Sequence, residues 1–380
     1  MRRFGDGLGL GADLLRAARD AVEQALDGLG GPPDLAVVSV SATDPGSAVA
    51  AGELAESLLG ARAVIGCTAE GVLGAGRAVE GPGAVSVFVA QLPGVQLRTF
   101  HLEVLPSDAG VAVVGLPEPV GDDEVALLLS DPWSFPVDGF VARAAAALPG
   151  LPFLGGVASG GQGPGSTRLW VDGRTVDRGA VGVLLAGSGA RALVSQGCRP
   201  IGPAMTVTSA AGNVVRSLAG VPAVEKVREV LSGLPPAEQA LASAGVQLGI
   251  TADEYADDAD YLVRAVLGTE PETGGLVVGE LIQVGQTVRL QVRDADAAHE
   301  SLRGLLAGAP PAEGALLFSC SGRGAHLFGP TYGGAGHDGD VVRAGLGAQA
   351  VAGFFAGGEV GPAAGRTSLH TFAAAVLAFP

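Results

Sequence analysis

The sequence predicts a mixed α/β fold, with β-sheets covered by helices and two halves packed against each other, and three observations predict it. First, apolar β-type runs that end in a small polar residue recur at Leu35–Ser41, Val125–Ser130 and Ala315–Ser319, each followed by a helix-like segment at Gly46–Leu59, Val137–Leu148 and His337–Leu346. Second, each helix-like segment leads to one copy of G-x-x-A-x-G, anchored on Gly66, Gly155 and Gly353, and then to a further apolar strand at Val85–Ala90, Ala180–Ala186 and Phe372–Phe379. Third, the offset from Ser41 to Gly66 and from Ser130 to Gly155 is 25 residues in both cases, and an enlargement around Gly324–Gly334 explains the longer third copy. In a chain with 62 glycines the short pattern alone carries little weight. Its constant surroundings define a repeated strand–helix–strand–strand unit.

In chain order, Gly11–Leu26 places Leu14, Leu15, Ala18, Val22 and Leu26 at a helical period, a helix that covers one face of a sheet. The Gly-Gly-Pro-Pro break at Gly30–Pro33 precedes the first unit, and Pro93-Gly94 joins strands Ala84–Ala90 and Val95–Leu102. The second unit ends near Ala186, which divides the chain into domains at 1–190 and 191–380. An insertion without counterpart in the first half is expected from Arg191 to about Leu302. Within it, strands Ala192–Gly197 and Ala204–Ser209 bracket Cys198–Pro203, a helix covers Pro222–Leu231, and strands cover Tyr261–Leu267, Leu276–Gln283 and Gln286–Arg293. Asp294 and Asp296 open a helix running to about Leu306.

Composition narrows the function. A hydrophobic content of 48% with 16% charged residues suits a packed globular chain, and a net charge of −16 disfavours binding to nucleic acid or an anionic membrane. No apolar run is long enough to cross a membrane as a helix, and no apolar segment follows the arginines at the N-terminus as an export signal would require. Cys67, Cys198 and Cys320 form no disulfide framework and suit a reducing compartment, so a cytoplasmic protein is expected. The single lysine, Lys226, beside 22 arginines fits the codon usage of a GC-rich bacterial genome.

Most chemical motifs are absent. Lys226 lies in V-E-K-V-R, which rules out a P-loop; Gly187–Ala192 has the glycines of a dinucleotide turn but leads into a strand. There is no G-x-S-x-G elbow, and His101, His299, His326, His337 and His370 show no metal-ligand spacing. The acidic run Asp253, Glu254, Asp257, Asp258 and Asp260 reads as a solvated segment, since no glycine punctuates it as in a cation-binding loop.

One stretch collects chemistry. Ser319 to Gly324 follows a predicted strand and sets Cys320, Ser321, Gly322, Arg323 and Gly324 in a glycine turn. A glycine-rich turn after a strand is where open α/β sheets hold ligands, and an arginine there can grip a carboxylate with two parallel bonds. Gly353, Phe354, Phe355, Gly357, Gly358 and Glu359 are expected beside it, as a second turn that offers backbone N–H groups and an apolar wall, with Gly66, Cys67 and Thr68 as the equivalent turn of the first unit. Glu359 is expected to pair with Arg323 or to receive a ligand amine, and Cys320 to be a partly exposed thiol whose pKa Arg323 lowers.

With V-I-G-C-T-A-E-G at Val64–Gly71, L-G-G-V-A-S-G at Leu154–Gly160, D-R-G-A-V-G-V-L-L-A-G at Asp177–Gly187 and S-Q-G-C-R-P-I-G-P at Ser195–Pro203, the first half resembles the FIST N domain. Tyr261–Gly268, Gly285–Asp294, F-S-C-S-G-R-G at Phe318–Gly324 and A-G-F-F-A-G-G-E-V-G-P at Ala352–Pro362 give the second half a resemblance to FIST C. The resemblance covers residues 34–379 and implies a sensory module for a small ligand, with amino acids a proposed ligand class. The family usually sets this module beside kinase, cyclase or chemotaxis domains. No such output domain is expected here, so signalling would pass through a protein partner, and self-association is left open. An enzyme using Cys320 as nucleophile, with His326 or His337 as a base that the sequence does not place, and a haem or gas sensor are the alternatives. No cofactor or metal is otherwise expected.

Overall fold

The structure is a computed structural model and describes residues 1–107, 110–118, 120–251, 261–363 and 365–380. The acidic run between Asp253 and Asp260 lies outside the described residues.

The fold is mixed α/β, and the repeated unit is its organising element. The first strands are Leu35–Ser41, Asp123–Ser130 and Gly314–Cys320, and the helices that follow them are Pro45–Leu59, Val137–Ala147 and His337–Leu346. Each helix leads to a second strand, Ala63–Thr68, Phe153–Val157 or Ala350–Ala356, parallel to the first. A hairpin intervenes, and then a return strand, Ala84–Gln91, Ala180–Ala186 or Ala374–Phe379, pairs antiparallel with the first strand on its other side. The helix in each crossover is what permits two successive strands to run parallel.

The hairpins are exchanged cyclically. The hairpin of repeat one, Gly71–Gly74 with Arg77–Glu80, joins the second strand of repeat three. That of repeat two, Leu169–Val171 with Arg174–Val176, joins repeat one. That of repeat three, Glu359–Ala363 with Arg366–His370, joins repeat two. No repeat completes its own sheet, so the three cannot separate without breaking strand pairs. Their inner faces share one core, to which repeat one gives Val37 and Phe88, repeat two Leu127 and Leu154, and repeat three Phe318, Phe354 and Phe379.

Gly66, Gly155 and Gly353 were expected in turns and instead lie inside the second strands. Each pairs with the middle of a first strand, at Val38, Leu128 and Leu317. A Cβ at these positions would meet the carbonyl oxygen of that partner at 2.4, 1.8 and 1.8 Å, so the glycines permit close backbone approach. The turns come after the strands. There Ser159 N donates to Thr68 O (3.2 Å) and Gly357 N to Val157 O (3.0 Å), which draws the three strand ends together.

Arg191–Ser195 was expected to open the insertion, but it pairs with the return strand of repeat three. The helix Ala295–Ala307, expected to lie mostly within the insertion, buries Leu302 and Leu306 against Val342 and Leu346 of the repeat-three helix. The insertion proper therefore runs from Cys198 to Arg293. Its long first strand, Cys198–Ala211, continues through the prolines by a register shift between Ile201 and Met205. This strand pairs with Thr287–Arg293 on one side and Val214–Leu218 on the other, which closes the sheet into a barrel around Ile201, Val215, Leu248 and Leu290. Among the described residues no helix is long and apolar enough to cross a membrane.

Candidate functional site

At the end of the repeat-three first strand, the chain turns through Ser321–Arg323 and Gly324 rather than entering its helix directly. The turn folds Arg323 inward. Arg323 Nε donates to Asp338 Oδ2 (2.8 Å) and Nη2 to Asp338 Oδ1 (2.8 Å), and only 1% of the residue is exposed. Ser319 Oγ and His337 Nδ1 complete the shell of Asp338, at 2.7 and 2.8 Å. Burial alone would raise Asp338, but the charge and hydrogen bonds of Arg323, with those of His337 and Ser319, hold it well below the usual carboxylate range. Arg323 is thus sealed on a carboxylate of its own repeat. The expected pairing with Glu359 does not form.

Cys320 and Glu359 do come together. The Cys320 sulfur accepts from Phe372 N (3.2 Å) and Gly322 N (3.4 Å), and Glu359 Oε2 accepts from Ala373 N (3.0 Å). Glu359 Oε1 has no hydrogen-bond partner among the described residues, and the carboxyl as a whole interacts with the neighbouring Cys320 thiol. Cys320 is buried, not partly exposed; burial and then the Glu359 charge push its thiol well up, the reverse of the expected activation by Arg323. Burial also pushes Glu359 up, against the N–H of Ala373, the thiol and the charge of Arg323. Phe354 and Phe355, expected as an apolar wall, are both buried in the core. Cys67 is buried and lies apart, its thiol raised by burial, and burial pushes Cys198 up to about 12 against Arg323 and Arg293. All three cysteines are free.

The open space lies on the other side of the hairpin strand Arg366–His370. A cleft of about 700 Å³ separates the barrel from the repeat-two helix and this strand. Arg264 lines it, only 3% exposed, and reaches four partners: Glu280 Oε2 from Nε (2.9 Å) and Nη2 (2.7 Å), Leu369 O (2.8 Å) and Val263 O (3.2 Å) from Nη1, and Asp138 Oδ1 at 3.7 Å. Burial raises Asp138, with Arg264 opposing and Glu280 adding to the rise. Arg366 also lines the cleft, exposed and with no ion-pair or hydrogen-bond partner among the described residues. Ile250, Leu262 and Val141 supply apolar wall. Cleft and buried cluster share one strand. Leu369 O binds Arg264, while His370, next in the chain, turns inward to Gln196 Nε2 (3.1 Å) and Gly361 O (3.1 Å).

The family model described as the FIST N domain matches residues 34–221, and the FIST C domain model matches 223–362. This chain belongs to the FIST family. An uncharacterized protein of Mycobacterium tuberculosis is 39% identical over 386 residues, covering 99% of both chains. One of Mycobacterium bovis is 38% identical over 388 residues, covering 99% of this chain and 98% of the other. FIST domains are recognised as sensory domains. The N model ends just before the barrel helix Ala223–Ser232, and the C model carries Arg264, Glu280 and the Cys320–Glu359 cluster. Sequence reasoning missed Asp338 and the cleft residues. The His337-Asp338 step at a helix start was visible, but Asp138, Arg264, Glu280 and Arg366 come from four separate segments and share no spacing.

Proposed function

We propose that this FIST protein is a sensory module that binds a small carboxylate- or amino-acid-like molecule in the cleft between the barrel and the repeats. The observation that carries this reading is Arg366, an exposed cation whose side chain has no partner among the described residues, in one cleft with Asp138 and Glu280. A guanidinium grips a carboxylate with two parallel bonds, and a carboxylate pair suits an amine. Pockets of this size with apolar walls and a few polar groups suit small ligands. Arg323, bound on both edges by Asp338, offers no such fork. The ligand would bias the joint at Arg264, and a protein partner in the cytoplasm would read the result.

The test is a thermal-shift screen of amino acids and small carboxylates against wild type, Arg366→Ala and Cys320→Ser. A subset of compounds should raise the Tm of wild type and of Cys320→Ser. Loss of the contact in Arg366→Ala should weaken binding by about 2–4 kcal/mol, roughly thirtyfold or more. An equal response in wild type and Arg366→Ala, or no response from wild type to any compound, overturns the reading.

The transferase or hydrolase alternative rests on the two N–H groups that cradle the Cys320 sulfur. It is the weaker reading, because burial and Glu359 favour the protonated thiol, and the thiolate is the nucleophile.

A further inference from the structure

A chain of side chains leads from the sealed Arg323–Asp338 pair to the surface of the helix Ala295–Ala307. Asp338 is an anion and can only accept, so His337 Nδ1 must donate to its Oδ1. With that proton on Nδ1, the neutral form of the His337 ring has its lone pair on Nε2, which lies 2.8 Å from His299 Nδ1. His299 Nδ1 therefore donates, and the lone pair of His299 is left on Nε2. That nitrogen has no partner among the described residues, and His299 is half-buried rather than sealed. The rings are held by packing: Phe328 stacks on His337 at 3.6 Å between centroids, and Tyr332 lies 4.9 Å from His299. Tyr332 O–H is itself fixed on Asp296.

One turn further along the same helix is Arg303, exposed and without a described partner. Asp296 and Glu300 also border His299, with Asp296 occupied by Tyr332; burial first, and then the charge of Arg303, act against protonation of His299, while Glu300 and Asp296 favour it. The whole arrangement is a carboxylate that orients one imidazole, which in turn orients a second with its free nitrogen outward beside a cation.

We propose that His299 Nε2 is a phosphoryl-acceptor site, served by donors of the phosphoramidate class, which includes the phosphohistidine of another protein. The Nε2 lone pair forms the new N–P bond while the P–N bond of the donor breaks, and the donor nitrogen leaves with that electron pair. The ring charge created on His299 is relieved by passing its Nδ1 proton to His337 Nε2, and the resulting imidazolium stays paired with Asp338. Arg303 is placed to neutralise the phosphoryl oxygens. His337 and Asp338 are positioning residues; His299 alone takes the group.

The experiment treats the full chain with potassium phosphoramidate and follows the acid-labile gain of one phosphoryl group by intact mass and peptide mapping. His299 should label first, on Nε2 by phosphorus NMR, at least about tenfold faster than His326. His337→Phe keeps an aromatic ring against Phe328 but deletes the acceptor, and should slow labelling by about tenfold or more. Arg303→Ala, at an exposed position, should slow it less while leaving the Tm unchanged. Labelling of His299 no faster than of His326, attachment at Nδ1, or an unchanged rate in a folded His337→Phe protein overturns the proposal. If His337→Phe fails to fold, the Arg303→Ala rate and the site of attachment in wild type decide it.

Discussion

Arg323 and Arg264 are both almost wholly buried, yet the two guanidiniums have opposite surroundings. Arg323 meets both oxygens of one carboxylate from its own repeat, and Ser319 and His337 close the remaining sites on that carboxylate. Arg264 places two donors on a single oxygen of Glu280 and reaches across to a backbone carbonyl of repeat three and, more loosely, to Asp138 of repeat two. The first pair is internal to one unit and closed to water. The second is a joint between three units and lines an open cleft. A buried charge with a complete shell argues for architecture, whereas one with a loose shell beside open space can change partners when a ligand arrives.

The largest expected effect tests the sealed pair. Asp338→Ala leaves Arg323 charged and buried with no counter-ion, and should cost about 3–5 kcal/mol of stability. Urea denaturation followed by tryptophan fluorescence measures it, and a loss below about 1 kcal/mol would place Arg323 in the same class as Arg264.

An intermediate effect is expected from His370, on the strand between the two arginines. Burial, with the charge of Arg264 adding to it, pushes His370 from 6.5 down to about 4. The unfolded chain therefore binds this proton first as the pH falls. Stability is fully present above about 6.5 and is lost down to about 4, by on the order of 2–3 kcal/mol. Glu359 acts with the opposite sign, because a raised carboxyl withdraws stability as the pH climbs above 4.5. His370→Gln should flatten the acid limb of a Tm–pH profile and Glu359→Gln the other; an acid limb that survives in His370→Gln assigns it elsewhere.

The difference between the two arginines also marks what the sequence could reveal. The repeats were legible because strand periodicity, helix length and the glycine spacing are local, and Gly66, Gly155 and Gly353 recur for one physical reason, close approach to a neighbouring carbonyl. The cyclic hairpin exchange was not legible, since nothing in Gly71–Gly74 or Leu169–Val171 names the strand it pairs with. At the site, the stretch Ser319–Gly324 was found because its residues adjoin in sequence, and Cys320 and Glu359 do meet. The partner of Arg323 was misassigned because Asp338 and Glu359 are both carboxylates downstream, and only the inward turn at Ser321–Arg323 selects between them. The cleft was invisible because its charges converge from a helix of repeat two, the barrel and a hairpin of repeat three.

The smallest expected effect on stability tests the joint itself. Glu280→Gln keeps an oxygen able to accept from Arg264 Nε and Nη2 but removes the charge. Asp138 and Leu369 O remain in place, and the cleft admits water, so the penalty should stay at or below about 1 kcal/mol. Removing the Glu280 charge also removes one of the influences that raise Asp138, leaving that carboxylate the nearer counter-ion to Arg264. A shift of the guanidinium toward Asp138 would loosen its bond to Leu369 O, and hydrogen exchange should then quicken in the strand Arg366–His370 while staying unchanged in Gly314–Cys320. A loss of stability as large as that of Asp338→Ala, or faster exchange in both strands alike, would mean that the two arginines serve one rigid body and that the cleft is not a joint.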